Sequence, residues 1–159
     1  MTRQKLSIFM AGLLSFLMSC TGQTKDKKQN IDINSDKFKV GQVWKFDNRV
    51  GEDSATLTIL KIEKYEKGDT IIHIRVDGVK MYNPKVASGY SNDIGHLPFS
   101  QKSIEKSVTK LVGQKDKLPD FSEGYGQWKE AWDNGKGGYW TVNLQEAIEG
   151  VDSVMRQKK

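Results

Sequence analysis

The chain of 159 residues contains few side chains that could do chemistry, since it has two histidines, His73 and His96, and one cysteine, Cys20. The imidazoles could join Asp77 or Asp93 around a metal ion, but HxH and HExxH spacings are absent from the sequence, which therefore predicts no metal site and no cofactor. The nucleophile pattern GxSxG and the phosphate-binding patterns GxGxxG and GxxxxGK[ST] are absent as well. The kind of catalysis that these residues still allow is general acid–base catalysis by a histidine and a carboxylate.

The clearest candidate for a binding surface lies in the stretch TIIHIRVDGVKM, where apolar and polar residues alternate. In an extended strand His73, Arg75 and Asp77 project to one side, and the apolar residues between them project to the other. Arg75 is the favoured contact, because its planar guanidinium can bind a carboxylate through two hydrogen bonds. The alternative is a solvated face on which Lys61 and Glu63 supply ordinary cross-strand ion pairs.

A second candidate surface is aromatic. Tyr139 and Trp140 follow a glycine-rich turn and point to opposite sides of a predicted short strand, so one of them is expected to be exposed. Exposed tyrosine and tryptophan rings bind sugars and peptides through large, rigid surfaces. Trp128 and Trp132 share one side of a predicted helix and are expected to pack in the core. The candidate binding residues are His73, Arg75, Asp77, His96, Tyr139 and Trp140.

The N-terminus has the features of a secretory signal. Arg3 and Lys5 precede thirteen mostly apolar residues, 6–18, which are too few for the roughly 20 that span a bilayer. The stretch LMSC that follows resembles the lipobox of bacterial lipoprotein precursors, whose cleavage leaves the cysteine, here Cys20, as the lipidated first residue. A conventional signal peptide with an incidental cysteine is the alternative.

This resemblance implies a lipid-anchored protein of the cell envelope. Residues 1–19 would be the signal peptide, 20–37 the lipidated cysteine with a flexible polar tether, and 38–159 a single domain. Thr21 after the cysteine, in place of aspartate, favours the outer membrane, and the lack of an acidic cluster in the tether favours its periplasmic face. Loss of the two basic residues of the signal takes the formal charge from +5 to about +3, which is too small an excess to predict nucleic-acid binding.

The folded part is predicted to be an α+β domain. A hydrophobic share of 36% and a charged share of 28% fit one modest core. The predicted strands span 40–48, 55–65, 70–81 and 139–142, with a bulge in the second, where the apolar positions change phase. The predicted helices span 101–112, 122–133 and a final stretch from 143, and 85–95 is a predicted loop. This order favours a small antiparallel sheet of three strands plus one short strand, covered on one face by about three helices.

Three stretches of the body resemble a group of short uncharacterised bacterial proteins. They are HIRVDG (73–78), HLPFS (96–100) and GYGQWKEA (124–131), and the resemblance covers most of 43–155. It implies a genuine folded domain and brings no activity with it.

Two functions of different class fit these observations. The favoured one is a non-catalytic envelope lipoprotein that binds a protein or cell-wall partner, for example an immunity-type inhibitor of a toxin. The alternative is a small envelope hydrolase with a histidine–carboxylate site. A pocket that holds His73 or His96 beside a carboxylate would favour the hydrolase, and a flat or convex face would favour binding.

Overall fold

The computed structural model describes residues 31–32, 37–65 and 68–157. The strands are β1 (Ile31–Asp32), β2 (Gln42–Phe46), β3 (Thr56–Lys64), β4 (Thr70–Tyr82), β5 (Tyr90–Ser100) and β6 (Val108–Gln114), and the helices are α1 (Gln101–Ser107), α2 (Ser122–Asp133) and α3 (Leu144–Gln157). The predicted signal peptide and Cys20 lie outside the described residues. The short strand β1 falls within the segment predicted as tether, most of which also lies outside them.

One antiparallel sheet organises these elements, and the predicted α+β class is confirmed. Its strand order is β5-β4-β3-β2-β6, while β1 pairs separately with β3. The prediction of three strands plus one short strand is wrong, because the path of the sheet has five strands. The additional ones are β5 and β6, which form its two edges.

The bulge predicted in the second strand is confirmed in β3. Between Ile59 and Lys61 the pairing with β4 shifts, so that Leu60 is an extra residue in β3. Ile59 lies in the hydrophobic core before the bulge, and the core-facing position after it is Ile62. The shift therefore places Lys61 and Glu63 on the opposite, polar face of the sheet.

Edge strand β5 corrects the predicted loop over 85–95. The connection after β4 is short, since the N–H of Asn83 donates to the carbonyl of Gly89 at 2.9 Å, and Gly89 adopts a φ of 71°. The chain then returns as a strand from Tyr90. Its Asn, Asp, Gly and Pro residues have poor β-propensity, but an edge strand tolerates them, and Pro98 has no N–H to leave unpaired.

Edge strand β6 corrects the second half of the helix predicted over 101–112. Ser100 caps α1 as predicted, accepting a hydrogen bond from the N–H of Ser103 at 3.2 Å, but the helix ends at Ser107. The chain then pairs with β2 as far as Gln114. The β-branched residues Val108 and Thr109 favour a strand, and pairing satisfies the backbone groups along the free edge of β2, which a longer helix would leave exposed.

The hydrophobic core lies on one face of the sheet, beneath α1 and α3. The N-terminus of α3 is capped as predicted, because Asn143 Oδ1 accepts from the N–H of Glu146 at 2.9 Å. The core residues of β4 and the helices include Ile72, Ile74, Val76, Ile104, Leu144, Ala147 and Ile148, all fully buried.

Helix α2 lies on the other face, which corrects the prediction that the helices cover one face. Its bounds match the predicted 122–133. The rings of Tyr125 and Trp128 lie 5.3 and 4.5 Å from the ring of His73, whose side chain is on the polar side of β4. Among the described residues no helix is long and apolar enough to cross a membrane.

Candidate functional site

Three titratable residues on adjacent strands form a continuous line of hydrogen bonds beneath α2. Glu63 of β3, His73 of β4 and His96 of β5 are called the histidine network here. Glu63 Oε2 lies 3.1 Å from His73 Nε2, and His73 Nδ1 lies 2.9 Å from His96 Nε2. Glu63 and His73 are fully buried, whereas His96 is partly exposed. The network thus runs from the interior of the domain to its surface.

The Glu63 carboxylate is held in its ionised form. Burial alone would raise its pKa, but the hydrogen bonds from His73 and Tyr125, together with the charges of His73 and Lys61, lower the pKa to about 2. The Tyr125 hydroxyl donates to Oε1 at 2.6 Å, and the Tyr65 hydroxyl donates to Oε2 at 3.1 Å. The carboxylate is therefore a fixed acceptor at the inner end of the network.

When neither imidazole carries a charge, the ionised Glu63 determines where their protons lie. Because the carboxylate accepts, His73 Nε2 carries a proton and His73 Nδ1 is an acceptor. His96 Nε2 must then donate to it, which leaves the lone pair on His96 Nδ1. No group in the described part of the chain bonds to that nitrogen. The network therefore ends in an imidazole with a free, oriented basic nitrogen.

His96 opens into a cleft of about 380 Å³ at the N-terminus of α2. Its lining is Ile94, Gly95, His96, Asp120, Phe121, Ser122, Glu123, Gly124 and Gln127. Burial and the charge of His73 lower the pKa of His96 to about 4, against an opposing effect of Glu63. At neutral pH the ring is uncharged and its free nitrogen can accept a proton.

A glycine allows the helix to approach the imidazole this closely. A Cβ on Gly124 would lie 2.9 Å from His96 Cβ and 3.7 Å from His96 Nδ1. Any other residue would push α2 away from β5, since Cβ contacts under 3 Å are not tolerated. Gly124 thus sets both the width of the cleft and the cover over the network.

The predicted binding residues Arg75 and Asp77 lie further along the same sheet face and do not join the network. Arg75 Nε donates to Asp77 Oδ1 at 2.7 Å, and Arg75 Nη2 lies 2.7 Å from Asp93 Oδ2. Lys115 Nζ lies 3.6 Å from the other oxygen of Asp77. These four residues form the ion cluster. Two carboxylates of its own chain therefore already engage the guanidinium proposed as the main partner contact.

The predicted aromatic pair lies outside the cleft lining as well. The predicted strand over 139–142 reduces to a single bridge between Trp140 and Phe99, and the Trp140 ring packs against the core. The Tyr139 hydroxyl donates to Asp69 Oδ2 at 3.3 Å, and its ring lies 6.0 Å from that of Trp132. Burial and the charge of Asp69 raise the pKa of Tyr139.

Sequence reasoning identified both histidines but treated Glu63 only as a possible surface ion pair. The signal that could have identified its role is the phase change in β3. This change places Glu63, two residues after Lys61, on the same face of the sheet as His73. Tyr125, predicted as an aromatic of α2, and the cleft residues Asp120 and Glu123 carried no comparable signal. Their position depends on where the helix docks.

Comparisons with protein-family models, with curated proteins and with solved structures found no match to this chain. Within the described ranges, no group of three or more His, Cys, Asp or Glu side chains is arranged to hold a metal ion. The groups in the described ranges that could do chemistry at this site are therefore those of the histidine network and the cleft.

Proposed function

We propose that this protein is a lipid-anchored hydrolase of the cell envelope, in which His96 acts as a general base on water. One observation carries the proposal: a buried, ionised Glu63 is connected through His73 to a free imidazole nitrogen of His96 beside a cleft. A cleft that holds His96 at the end of a line of hydrogen bonds from a carboxylate supports the hydrolase over a binding module. A carboxylate that orients an imidazole and stabilises its charged form is a recurrent device in hydrolases.

The proposed step moves one proton and breaks one bond. His96 Nδ1 takes a proton from a water molecule while the water oxygen attacks the substrate carbonyl carbon. His96 becomes an imidazolium, and the Glu63 carboxylate offsets part of the cost of charging this partly buried ring. The proton then passes to the leaving oxygen or nitrogen as the bond from carbon to that atom breaks. The products are a carboxylic acid and an alcohol or amine, and the network returns to its starting state.

Hydrolysis of p-nitrophenyl acetate by the full-length protein tests this role. His96→Gln should lower kcat/KM by about 100-fold or more, because a general base contributes on that scale. The rate of the wild-type protein should fall near pH 4, not near the pH 6.5 of an ordinary histidine, since the pKa of His96 is about 4. Glu105→Gln, an exposed change on α1, is the control and should leave the rate unchanged. An undiminished rate in His96→Gln would rule out His96 as the base.

The membrane anchor is tested separately. Because two acyl chains hold a protein on a membrane and one holds it weakly, Cys20→Ala should move the protein from the membrane fraction to the soluble fraction, or leave it uncleaved. Metabolic labelling with palmitate should mark the wild-type protein and not the variant. A wild-type protein with a free thiol at Cys20 in the soluble fraction would contradict the envelope assignment.

The second candidate function is binding of a protein or cell-wall partner without catalysis, and β6 gives it specific support. This strand ends the sheet, and no other strand in the described ranges pairs with its outer edge. Leu111 and Val112 on it are 45% and 46% exposed. An exposed strand edge can accept a strand from a partner. Capture of a partner that Leu111→Lys abolishes, with no esterase activity in the wild-type protein, would favour this function.

A further inference from the structure

The two imidazoles of the histidine network are joined by a hydrogen bond that holds only one proton. His73 Nδ1 and His96 Nε2 lie 2.9 Å apart, so one of these nitrogens donates and the other accepts. When one ring is charged, the other still supplies the acceptor and the bond persists. When both rings are charged, each facing nitrogen carries a proton and neither can accept. The bond is then replaced by repulsion between two cations at close range.

The charges in contact with the two rings do not compensate two added protons. Glu63 contacts His73, but Lys61 Nζ already lies 3.4 Å from Glu63 Oε1. Lys61 is also the register partner of His73, and its Nζ lies 5.4 Å from the centre of the Tyr125 ring of α2. With both histidines charged, three cations would face one carboxylate beneath the helix, which is costly without water.

Other charged or titratable residues flank the network. They are Tyr65, Asp120, Glu123, the four members of the ion cluster, the Lys129–Asp133 pair of α2, and Asp32, which is the register partner of Glu63. Asp120 and Glu123 are exposed, and solvent weakens their attraction for His96. Access of water to the two rings is therefore the effective way to stabilise a second charge.

Helix α2 is held on the sheet more weakly than α1 and α3. The structure describes all twelve of its residues and none of them is buried, whereas α1 and α3 contribute the fully buried Ile104, Leu144 and Ile148. Its N-cap residue, Phe121, makes no side-chain capping hydrogen bond. Elements with few buried contacts open at the lowest free energy. Opening of α2 therefore leaves the hydrophobic core in place.

Lifting α2 would admit water to the network. The helix covers the network through the Tyr125 hydroxyl, which donates to Glu63 at 2.6 Å, and through the Trp128 ring, which lies 4.5 Å from the ring of His73. A helix of twelve residues is only marginally stable in water without support from the rest of a protein. Once detached, α2 would therefore also lose its helical hydrogen bonds, which makes the opening measurable.

We propose that α2 is an acid-sensitive lid: charging both histidines of the network drives the helix from the sheet, while the core beneath α1 and α3 stays folded. The lid would operate whether or not His96 acts as a base, since it depends only on the network and its cover. Burial and the charge of His73 lower the pKa of His96 to about 4 in the closed form, against about 6.5 for a solvated ring. The open form therefore binds protons more readily, and acid favours it below about pH 6.5.

Hydrogen–deuterium exchange of the full-length protein tests the lid. After correction for the pH dependence of intrinsic exchange, the amides of α2 should exchange about 10-fold faster at pH 5 than at pH 7. The amides of α3 should exchange more slowly than those of α2 at both pH values, because they require opening of the core. His96→Gln should abolish the acceleration, since glutamine can still donate to His73 but cannot take up a proton.

Two further variants separate the lid from other effects of acid. Asp120→Asn combined with Glu123→Gln removes the flanking carboxylates and should leave the acceleration intact. Gly124→Ala should loosen the docking of α2, because the added Cβ would lie 2.9 Å from His96 Cβ, and should give fast exchange in α2 already at pH 7 while α3 stays slow. Slow exchange of α3 at pH 7 also shows that each variant is folded.

Three results would overturn the lid. The first is exchange of α2 that does not change between pH 7 and pH 5 in the wild-type protein. The second is an acceleration that persists in His96→Gln or disappears in the carboxylate variant. The third is exchange of α2 no faster than that of α3, which would mean that the helix leaves the sheet only when the whole domain unfolds.

Discussion

Two clusters of charged and titratable side chains lie on the same face of the sheet, and they differ mainly in what covers them. His73 of the network and Arg75 and Asp77 of the ion cluster are alternate residues of β4, and each cluster takes partners from a neighbouring strand. Their polar contacts are alike, at 2.9–3.1 Å in one and 2.7–3.6 Å in the other. Helix α2 covers the first, so that Glu63 and His73 are fully buried, whereas the Arg75 side chain remains 23% exposed.

The comparison shows that burial beneath a helix, more than residue type, determines the ionisation and the hydrogen bonding of such a cluster. Without water, a buried carboxylate must find all its partners within the protein, and a buried imidazole is costly to charge. Both effects appear in the network, where the pKa of Glu63 is lowered to about 2 and that of His96 to about 4. The ion cluster is open to solvent, which weakens the attraction within it.

The largest expected difference between the two clusters is in stability. Glu63→Ala should lower the free energy of unfolding by about 3–5 kcal/mol, because His73 and the hydroxyls of Tyr65 and Tyr125 lose a buried, charged acceptor. Urea unfolding measures this change. The exposed glutamate Glu105 provides the matched control, since Glu105→Ala should cost no more than about 0.5 kcal/mol. A loss below 1 kcal/mol for Glu63→Ala would mean that α2 does not seal the network from water.

Acid should destabilise the protein through the network. The pKa of His96 is about 4 in the folded state and 6.5 in the unfolded state, so the unfolded chain binds more protons between these values. Stability should therefore be complete above about pH 6.5 and fall towards pH 4, by about 1–2 kcal/mol once screening at the partly exposed ring is allowed for. Glu63, with its folded pKa of about 2, adds a further loss from about pH 4.5 downwards.

Unfolding free energies measured from pH 7 to pH 4 check this slope. His96→Asn should flatten it, and Arg75→Ala should leave it intact, because Arg75 lies outside the network. A wild-type stability that stays constant between pH 6.5 and 4.5 would show that His96 titrates as an exposed histidine does.

The smallest expected effect belongs to the ion cluster. Arg75→Ala should cost about 1 kcal/mol, since it removes partly exposed ion pairs and leaves Asp77 and Asp93 directly opposite each other on paired strands. Added salt should reduce this cost by screening the two carboxylates, while leaving the cost of Glu63→Ala nearly unchanged. Thermal unfolding at low and high salt measures both. A loss for Arg75→Ala as large as that for Glu63→Ala would remove the distinction between the clusters.

Much of the site geometry within β4 follows from the sequence. The alternation in the stretch from Ile72 to Asp77 predicts that His73, Arg75 and Asp77 share one face, and the buried isoleucines and valine between them confirm it. The phase change around Leu60 predicts the bulge in β3. Both are local signals, because successive residues of a strand point to opposite faces of the sheet.

The sequence by itself therefore determined the three central strands, the bounds of α2, the caps at Ser100 and Asn143, and the segregation of polar from apolar side chains. Only the tertiary structure decided that 90–100 and 108–114 become edge strands, and that α2 docks on the polar face over His73. These outcomes depend on pairing and burial between residues far apart in the chain. A segment with poor β-propensity becomes a strand when an unpaired edge is available to it. The same docking of α2 turns an alternating pattern of polar residues into a buried network in one place and leaves an exposed ion cluster in the other.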